Sequence, residues 1–500
     1  MTLPRPALLL LISTLTALAA EKPNLIVIMA DDLGFGDISC NGSTTIQTPN
    51  IDRVAAEGLR FTSGYCSAST CTPTRYSLLT GTYALRVNGT GIAPPNGPAL
   101  IKPGTPTIAS LLKSQGYATA VIGKWHLGLG SPKPDWNGEL KPGPLEIGFD
   151  HCLLLPTTND RVPQVFVEDH RVRNLDPADP LWVGDDKPSA DHPTGETHRS
   201  ELKMDWSHGH NNTIHNGISR IGFYTGGAKA RFRDQDLGDE WVNQSKSWIR
   251  KHKDQPFFLF FASHDIHVPR APHERFLGKS GMGPRGDAIL EFDWCVGEIM
   301  RTLAECGIER NTMVVICSDN GPVLDDGYKD QAVEKLGAHQ PAGPFSGGKY
   351  SVQEGGTRTP FITWWKGRIQ PGVSDQVVCT IDLAASFGKL TGANLPDEGF
   401  LDSSDVLGAL LGEPEARGRE VLLQQGNTDQ RIGLRVGRWK MIVERNRKDA
   451  EVKRASLYRI DKDPAEQKDL AKEEPEQLAH MQLLLDQIIA TGRTRSVPKR

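Results

Sequence analysis

The sequence has no zinc-type pair of closely spaced cysteines, no internal repeat and no low-complexity tract. Its eight cysteines are scattered without the regular spacing of a disulfide framework, which excludes a small scaffold stapled by bridges. It also lacks an excess of charge of either sign. Lys plus Arg total 57 against 61 Asp plus Glu, so no strong field is available to draw nucleic acid or an anionic membrane surface. The only extended apolar run near the N-terminus, Ala7 to Leu15, is too short to span a bilayer, which takes about 20 residues.

What is present begins with a targeting pattern. Arg5, that apolar run and the small-residue ending Ala17-Leu18-Ala19-Ala20 predict a signal peptide over 1–20, cleaved near Ala19 or Ala20. No cysteine follows to carry a lipid, so the mature chain is expected in the periplasm or the medium without stable membrane insertion. Asn41, Asn88, Asn211 and Asn243 lie in glycosylation sequons, which matter only in a pathway that glycosylates them.

Beyond the leader, short apolar runs are each followed at once by polar residues. Leu25 to Ala30 leads into Asp31-Asp32, Ala118 to Gly123 into Lys124-Trp125-His126, and Met313 to Cys317 into Ser318-Asp319-Asn320. Phe257 to Ala262 precedes His264 and His267. Runs this short and this apolar read as buried strands of a largely parallel sheet. Helical segments over Thr107–Gln115, Asp236–His252 and Gly286–Cys306 alternate with them. The expected fold is therefore α/β, with a large, mixed, mostly parallel sheet sandwiched by helices. Residues 21–412 read as one catalytic domain, with long surface loops over Ser131–Gly148 and Asn174–Arg199. Residues 413–500 read as a small C-terminal α+β subdomain with strands around Gly437, a closing helix over Pro475–Ala490 and a frayed basic tail from Arg493. Ligands of open α/β sheets bind beyond the carboxyl ends of the strands. One edge should thus gather Asp31, Asp32, Lys124, His126, His267, Asp319 and Asn320.

Cys71-Thr72-Pro73-Thr74-Arg75 adds a candidate nucleophile. Pro73 suits the first turn of a helix, which places Cys71 at a helix N-terminus, where free N–H groups favour an anion, and Arg75 one turn on. With Leu79-Thr80-Gly81, this block resembles the signature of the type I sulfatase family, within the alkaline-phosphatase superfamily. Gly123-Lys124-Trp125-His126-Leu127-Gly128 is similar to the family's second signature. Asp31-Asp32, Ser318-Asp319-Asn320-Gly321, Gly347-Gly348-Lys349 and Glu354-Gly355-Gly356-Thr357-Arg358-Thr359-Pro360 follow in family order, and Leu457 to Ile460 and Asp463 to Gln467 resemble its closing segment.

The resemblance implies that a formylglycine-generating enzyme oxidises Cys71 to formylglycine. One oxygen of its hydrate would attack sulfur, and the second would expel sulfate and restore the aldehyde. Seven cysteines would remain, at least one without an internal partner. It further implies one calcium ion held by Asp31, Asp32, Asp319 and Asn320, with the modified Cys71 facing it; hard oxygens suit that ion. Arg75, Lys124 and Lys349 would balance the anion, His126 would act as base, and His267, preferred to His264, as acid toward the leaving alcohol. Thr157 to Pro163, Ser207 to Asn211 and Gly286 to Cys295 resemble the branch acting on 6-O-sulfated galactose and N-acetylgalactosamine, so a sulfated glycan is the expected partner. Asn159, Asp160, Arg161 and His210 are candidate sugar readers, with an Asp160–Arg161 ion pair that merely orders the loop as the competing reading. Trp136, Trp182 and Trp206 are candidates for stacking, although each is the kind of residue that fills a core. His208, His210 and His215 are too irregularly spaced to suggest a metal site. The alternatives are an arylsulfatase or a glycan sulfatase for another position, a phosphonate or phosphodiester hydrolase, and a glycan-binding protein without turnover.

Overall fold

Four apolar runs occupy the middle of a ten-stranded sheet in a computed structural model that describes residues 22–87, 91–428, 430–445 and 452–496. The leader over 1–20 and Asn88 lie outside the described residues. In chain order the sheet contains β1 (Asn24–Ala30), β2 (Leu59–Tyr65), β3 (Ala118–Lys124), β4 (His151–Leu155), β5 (Val167–Glu168), β6 (Arg171–Val172), β7 (Phe257–Ala262), β8 (Thr312–Ser318), β9 (Phe361–Trp364) and β10 (Gly372–Cys379). Their spatial order is β10-β2-β9-β8-β1-β7-β3-β4-β5-β6. The central ladders β8-β1-β7-β3-β4 are all parallel, while β9, β5 and β6 join antiparallel. The sheet is thus mixed with a parallel centre.

Alternation along the strands divides the core in two. Leu25, Val27 and Met29 of β1 face one apolar layer, with Leu78 and Leu79 of α2 (Cys71–Thr80) and Leu112 of α3 (Ile108–Ser114). Ile26, Ile28 and Ala30 face the other, formed by α1 (Pro49–Glu57), α4 (Leu237–His252) and α5 (Gly283–Glu305). Helices on both faces explain why the middle of each of these strands is apolar on both alternating faces. Each fully buried Leu, Ile, Val or Phe contributes about 1.5–3 kcal/mol from area removed from water.

The C-terminal sheet, β11 (Val421–Gln425), β12 (Arg431–Val436), β13 (Trp439–Arg445) and β14 (Val452–Arg459), is an antiparallel meander. Ile432, Leu434, Met441, Val443 and Leu457 pack with Met481, Leu485 and Ile488 of the closing helix, Pro475–Thr491. Strand β11 carries no motif and was not among the expected elements. The tail departs from the fraying expected of it. Thr494 donates to the Asp402 carboxylate from both its N–H and its hydroxyl, and the Arg495 guanidinium donates to the carbonyls of Phe400, Pro396 and Gly399. Composition suggested a solvated basic end, but backbone acceptors near Asp402 hold it through 495; residues 497–500 lie outside the described set. All eight cysteines are free thiols, and no helix among the described residues is long and apolar enough to cross a membrane.

Candidate active site

The central strands release their polar residues at one edge, and the backbone turns sharply there. Asp32 (φ 64°) and His126 (φ 54°) both adopt the left-handed region, uncommon for residues with a Cβ. Gly123 (φ +114°) makes the turn before Lys124 possible, because a Cβ there would come within 1.9 Å of the Ala262 carbonyl oxygen of β7.

Cys71 is the first residue of α2, preceded by Thr70 in extended conformation, and every residue of that helix is buried. Its Sγ lies 3.1 Å from His126 Nδ1. His126 Nε2 donates to the Ala93 carbonyl at 3.1 Å, which fixes the proton on Nε2 and leaves the Nδ1 lone pair facing Cys71. Burial first, then Lys124, hold the His126 pKa well below the ordinary imidazole value, so the ring is neutral. Thr72 Oγ1 donates to the His126 carbonyl at 2.9 Å and locks the helix start to that turn.

Around Cys71 lies a buried lattice of charge. Arg75 donates from Nε to Asp319 Oδ2 at 2.9 Å and from a terminal nitrogen to the Lys124 carbonyl at 2.9 Å. Lys124 Nζ donates to Asp31 Oδ2. Lys349 Nζ bridges Asp32 Oδ2 at 2.9 Å and Asp326 Oδ2 at 2.7 Å. Asn320 Nδ2 donates to Asp32 Oδ1 at 2.7 Å, and Asp319 Oδ1 accepts from the Asp32 N–H at 3.3 Å. Burial, then repulsion from Asp319, push the Asp31 pKa well up, and burial raises Asp32 against the pull of Lys349. Asp319 is held low despite burial because Arg75 lies against it.

This lattice fits a cation. Asp31, Asp32 and His267 place one donor atom each within 4.8 Å of one another. Asp31 Oδ1 and Asn320 Oδ1 are buried acceptors without a hydrogen-bond partner, a costly state that an ion would relieve. With all four carboxylates ionised, as a bound cation would keep them, Asp31, Asp32, Asp319 and Asp326 face three cations, Arg75, Lys124 and Lys349, one negative charge in excess. Asp319 has one oxygen committed to Arg75, a commitment the sequence did not reveal.

The two histidines after β7 part company. His267 Nε2 lies 4.0 Å from Asp32, and its Nδ1 donates to the Val268 carbonyl at 2.7 Å. His264 accepts from Trp241 Nε1 at 3.3 Å and lies 3.6 Å from Asp265, with burial pulling its pKa down to about 3. Burial, then Lys349 and Lys124, also lower His267.

The candidate sugar readers form a second group. Asp160 accepts from Arg161 at 2.9 Å and pairs with His210 Nε2 at 2.9 Å, and lies 4.0 Å from His267 Nδ1. The Asp160–Arg161 ion pair therefore exists, and it borders His267 as well as ordering the loop. Asn159 turns inward, its amide nitrogen 3.2 Å from the carbonyls of both His267 and Pro269. It braces the His267 turn. Trp136 is buried and donates to Asn96, Trp206 donates to the Gly195 carbonyl, and Trp182 is exposed. Sequence reasoning missed Asp326 and Tyr350. Tyr350 adopts φ 75°, and its hydroxyl donates to Asp326 at 2.7 Å. Asp326 lies in an irregular loop, and only its distance to Lys349 marks it.

A buried cysteine at a helix N-terminus, three fixed cations and a cluster of carboxylate oxygens suit the class of hydrolases that act on anionic esters. Comparison with known proteins narrows that class. The sulfatase family model matches residues 23–393, and the chain belongs to that family; it is a sulfuric ester hydrolase. An N-acetylgalactosamine-6-O-sulfatase of Bacteroides thetaiotaomicron is 45% identical over 480 residues, spanning 94% of this chain and 93% of its own length. Human arylsulfatase A is 32% identical over 443 residues, spanning 87% of this chain and 77% of its own. A solved sulfatase structure from Bacteroides thetaiotaomicron, reported in work on the metabolism of multiple glycosaminoglycans, superposes with a TM-score of 0.90 at 45% identity, covering 94% of this chain and 99% of that one.

Proposed function

We propose that the protein is an exported, exo-acting carbohydrate sulfatase that removes the 6-O-sulfate of galactose or N-acetylgalactosamine units. Cys71, after oxidation by a formylglycine-generating enzyme, would supply the nucleophilic hydroxyl, and one calcium ion on Asp31, Asp32, Asp319 and Asn320 would polarise the sulfate oxygens.

The observation that carries this reading is the charge of the site. Four carboxylates and three cations leave one negative charge. A divalent ion would turn it to one positive charge, the complement of a sulfate monoester. A phosphate monoester carries about −1.5 to −2 at neutral pH, so the balance disfavours that rival. Human arylsulfatase A shares the family, and an arylsulfatase remains the second reading on that similarity alone.

The chain's own groups have separable tasks. Arg75 is held by Asp319 and the Lys124 carbonyl, so its charge stands ready beside Cys71 without reorganising. Lys124 and Lys349 would turn from their carboxylates toward the sulfate. His126 presents an unprotonated Nδ1 to position 71 and would take a proton there. His267 presents Nε2 beside Asp32; neutralising Lys349 and Lys124 with substrate removes two of the causes that lower its pKa, letting Nε2 carry a proton to the leaving alcohol. Asp160 with Arg161 and His210 lies where the hydroxyls of the sugar would meet them. The 45% identity to an N-acetylgalactosamine-6-O-sulfatase supports the galacto assignment.

The test is sulfate release from galactose, N-acetylgalactosamine, glucose and N-acetylglucosamine, each sulfated at one position, by protein co-produced with the maturing enzyme and supplied with calcium. Release confined to 6-sulfated galacto-sugars is expected; release from another isomer instead would overturn the specificity, and release from none, with the aldehyde confirmed by mass, would overturn the whole reading.

A further inference from the structure

The loop that carries Lys349 borders a second feature. A groove of about 230 Å³ lies between Ser351–Gln353 and the C-terminal sheet, lined by Gln353, Arg431, Glu444, Arg454, Ser456 and Tyr458 among others. It starts two residues from Lys349, a separation of at most about 7 Å along the backbone.

Strand register explains the groove's chemistry. Arg431 pairs across the sheet with Glu444, Glu444 with Arg454, Ile442 with Ser456, and Lys440 with Tyr458. Because side chains alternate, these residues share one face, while Ile432, Met441, Val443 and Leu457 share the other and pack on the closing helix. The polar face has two halves. In its buried half, Lys440 pairs with Glu354 at 2.9 Å and Glu466 at 3.1 Å, and Arg435 donates to the Tyr65 hydroxyl. Every positive charge there has an internal acceptor.

The outer half is held more loosely, with Asp469 acting on Arg454 only at longer range. Arg431 lies 3.6 Å from Glu444. Arg454, on the other side of Glu444, makes no ion pair among the described residues. One guanidinium held loosely by Glu444 and a second without an ion pair thus line a cleft that also presents the Tyr458 hydroxyl and the Gln353 amide. Guanidinium forks are suited to carboxylates and sulfates, and neighbouring hydroxyl and amide groups to a polyol.

We propose that this groove is a subsite for an anionic sugar unit joined to the one being desulfated, with Arg431 and Arg454 binding its carboxylate or its own sulfate. The inference rests on the reading of the protein as a glycan sulfatase and adds the chemistry of the neighbouring unit. It makes the C-terminal sheet part of substrate recognition.

The experiment compares four substrates on the matured, calcium-loaded full chain: 6-sulfated N-acetylgalactosamine alone, and the same unit linked to a neutral hexose, to a hexuronate, or to a second sulfated sugar. Wild-type protein is expected to show about tenfold higher kcat/KM for one or both anionic disaccharides than for the neutral one, the size of one charge-assisted contact. Arg431→Ala with Arg454→Ala should bring the ratio to unity, and raised salt should compress it. Preference for the hexuronate alone would assign a carboxylate subsite; preference for the sulfated disaccharide alone, a sulfate subsite. Equal turnover of neutral and anionic disaccharides by wild type, or a preference that survives the double substitution, overturns the proposal. Loss of the single-sugar activity in wild type would instead count against the sulfatase specificity itself, so the two failures are distinguishable.

Discussion

The inner and outer parts of the site are built differently. Inner groups sit where regular elements end: Asp31 and Asp32 after β1, Cys71 and Arg75 on the first turns of α2, Lys124 closing β3, Asp319 and Asn320 after β8. All are buried, and most have a hydrogen bond to another member of the set. Outer groups, Asp160, Arg161, His210, Asp326 and Tyr350, come from irregular segments whose geometry is set by ion pairs and turns. Most residues proposed for the chemistry thus sit on the rigid frame, and those proposed for recognition on loops that can vary without disturbing it.

Experiments can break or sharpen that contrast. The largest effect is expected from Cys71→Ala, which should lower sulfate release by about 10⁴-fold or more with unchanged thermal stability beyond a small loss, because only the nucleophile's precursor goes. Measurable turnover within tenfold of wild type would remove Cys71 from the chemistry. Chelation of calcium comes next. It should abolish activity reversibly and lower Tm, since it leaves Asp31, Asp32 and Asp319 mutually repelling in a buried site. An unchanged melting curve with full activity would count against the ion.

Asp326→Asn tests whether an outer loop residue can act through an inner one. It removes one of the two anions holding Lys349 and is expected to cut kcat about tenfold to a hundredfold with little change in KM. A pure KM effect would make Asp326 a binding residue instead. His210→Ala should cost about tenfold in kcat/KM on a 6-sulfated galacto-sugar, but much less on a small aryl sulfate, because it frees Asp160 without touching the frame. Equal losses on both substrates would erase the distinction between the two parts.

The smallest effect on activity, and a clear one on stability, is expected at His215. It lies away from the site, donates from Nε2 to the Phe232 carbonyl at 2.8 Å and accepts from the Tyr224 hydroxyl at 2.7 Å. Burial lowers its pKa to about 4. The unfolded chain therefore takes up this proton first, near pH 6.5, and stability falls as pH drops from about 6.5 to about 4, by up to about 3 kcal/mol. His215→Gln should flatten that part of the acid-unfolding profile; an unchanged profile would assign the loss to other groups.

The legibility of the fold followed the same divide. The four central strands could be read because each is short, apolar throughout and followed by polar residues, a pattern that burial on both faces demands. Strands β2, β4, β5, β6, β9, β10 and β11 went unread because they are short, part-polar or lack a motif, and the pairing of most depends on partners distant in sequence. In the site, Cys71, Arg75, Lys124 and His126 announced themselves through spacing that a helix start or strand end imposes. Asp326 did not, because nothing local connects it to Lys349, 23 residues on.

By itself, then, the sequence determined the α/β class and the edge at which the inner residues gather, which follow from local periodicity and from residues a few positions apart, and its ordered motif blocks gave the family by resemblance. Only the tertiary structure decided that His267 and not His264 approaches Asp32, that Asn159 braces a turn, that the tail is pinned, and that Arg431 and Arg454 line one groove beside the Lys349 loop. Each of these depends on groups brought together across long chain separations, where distance and burial set the energy of a charge and no local pattern records them.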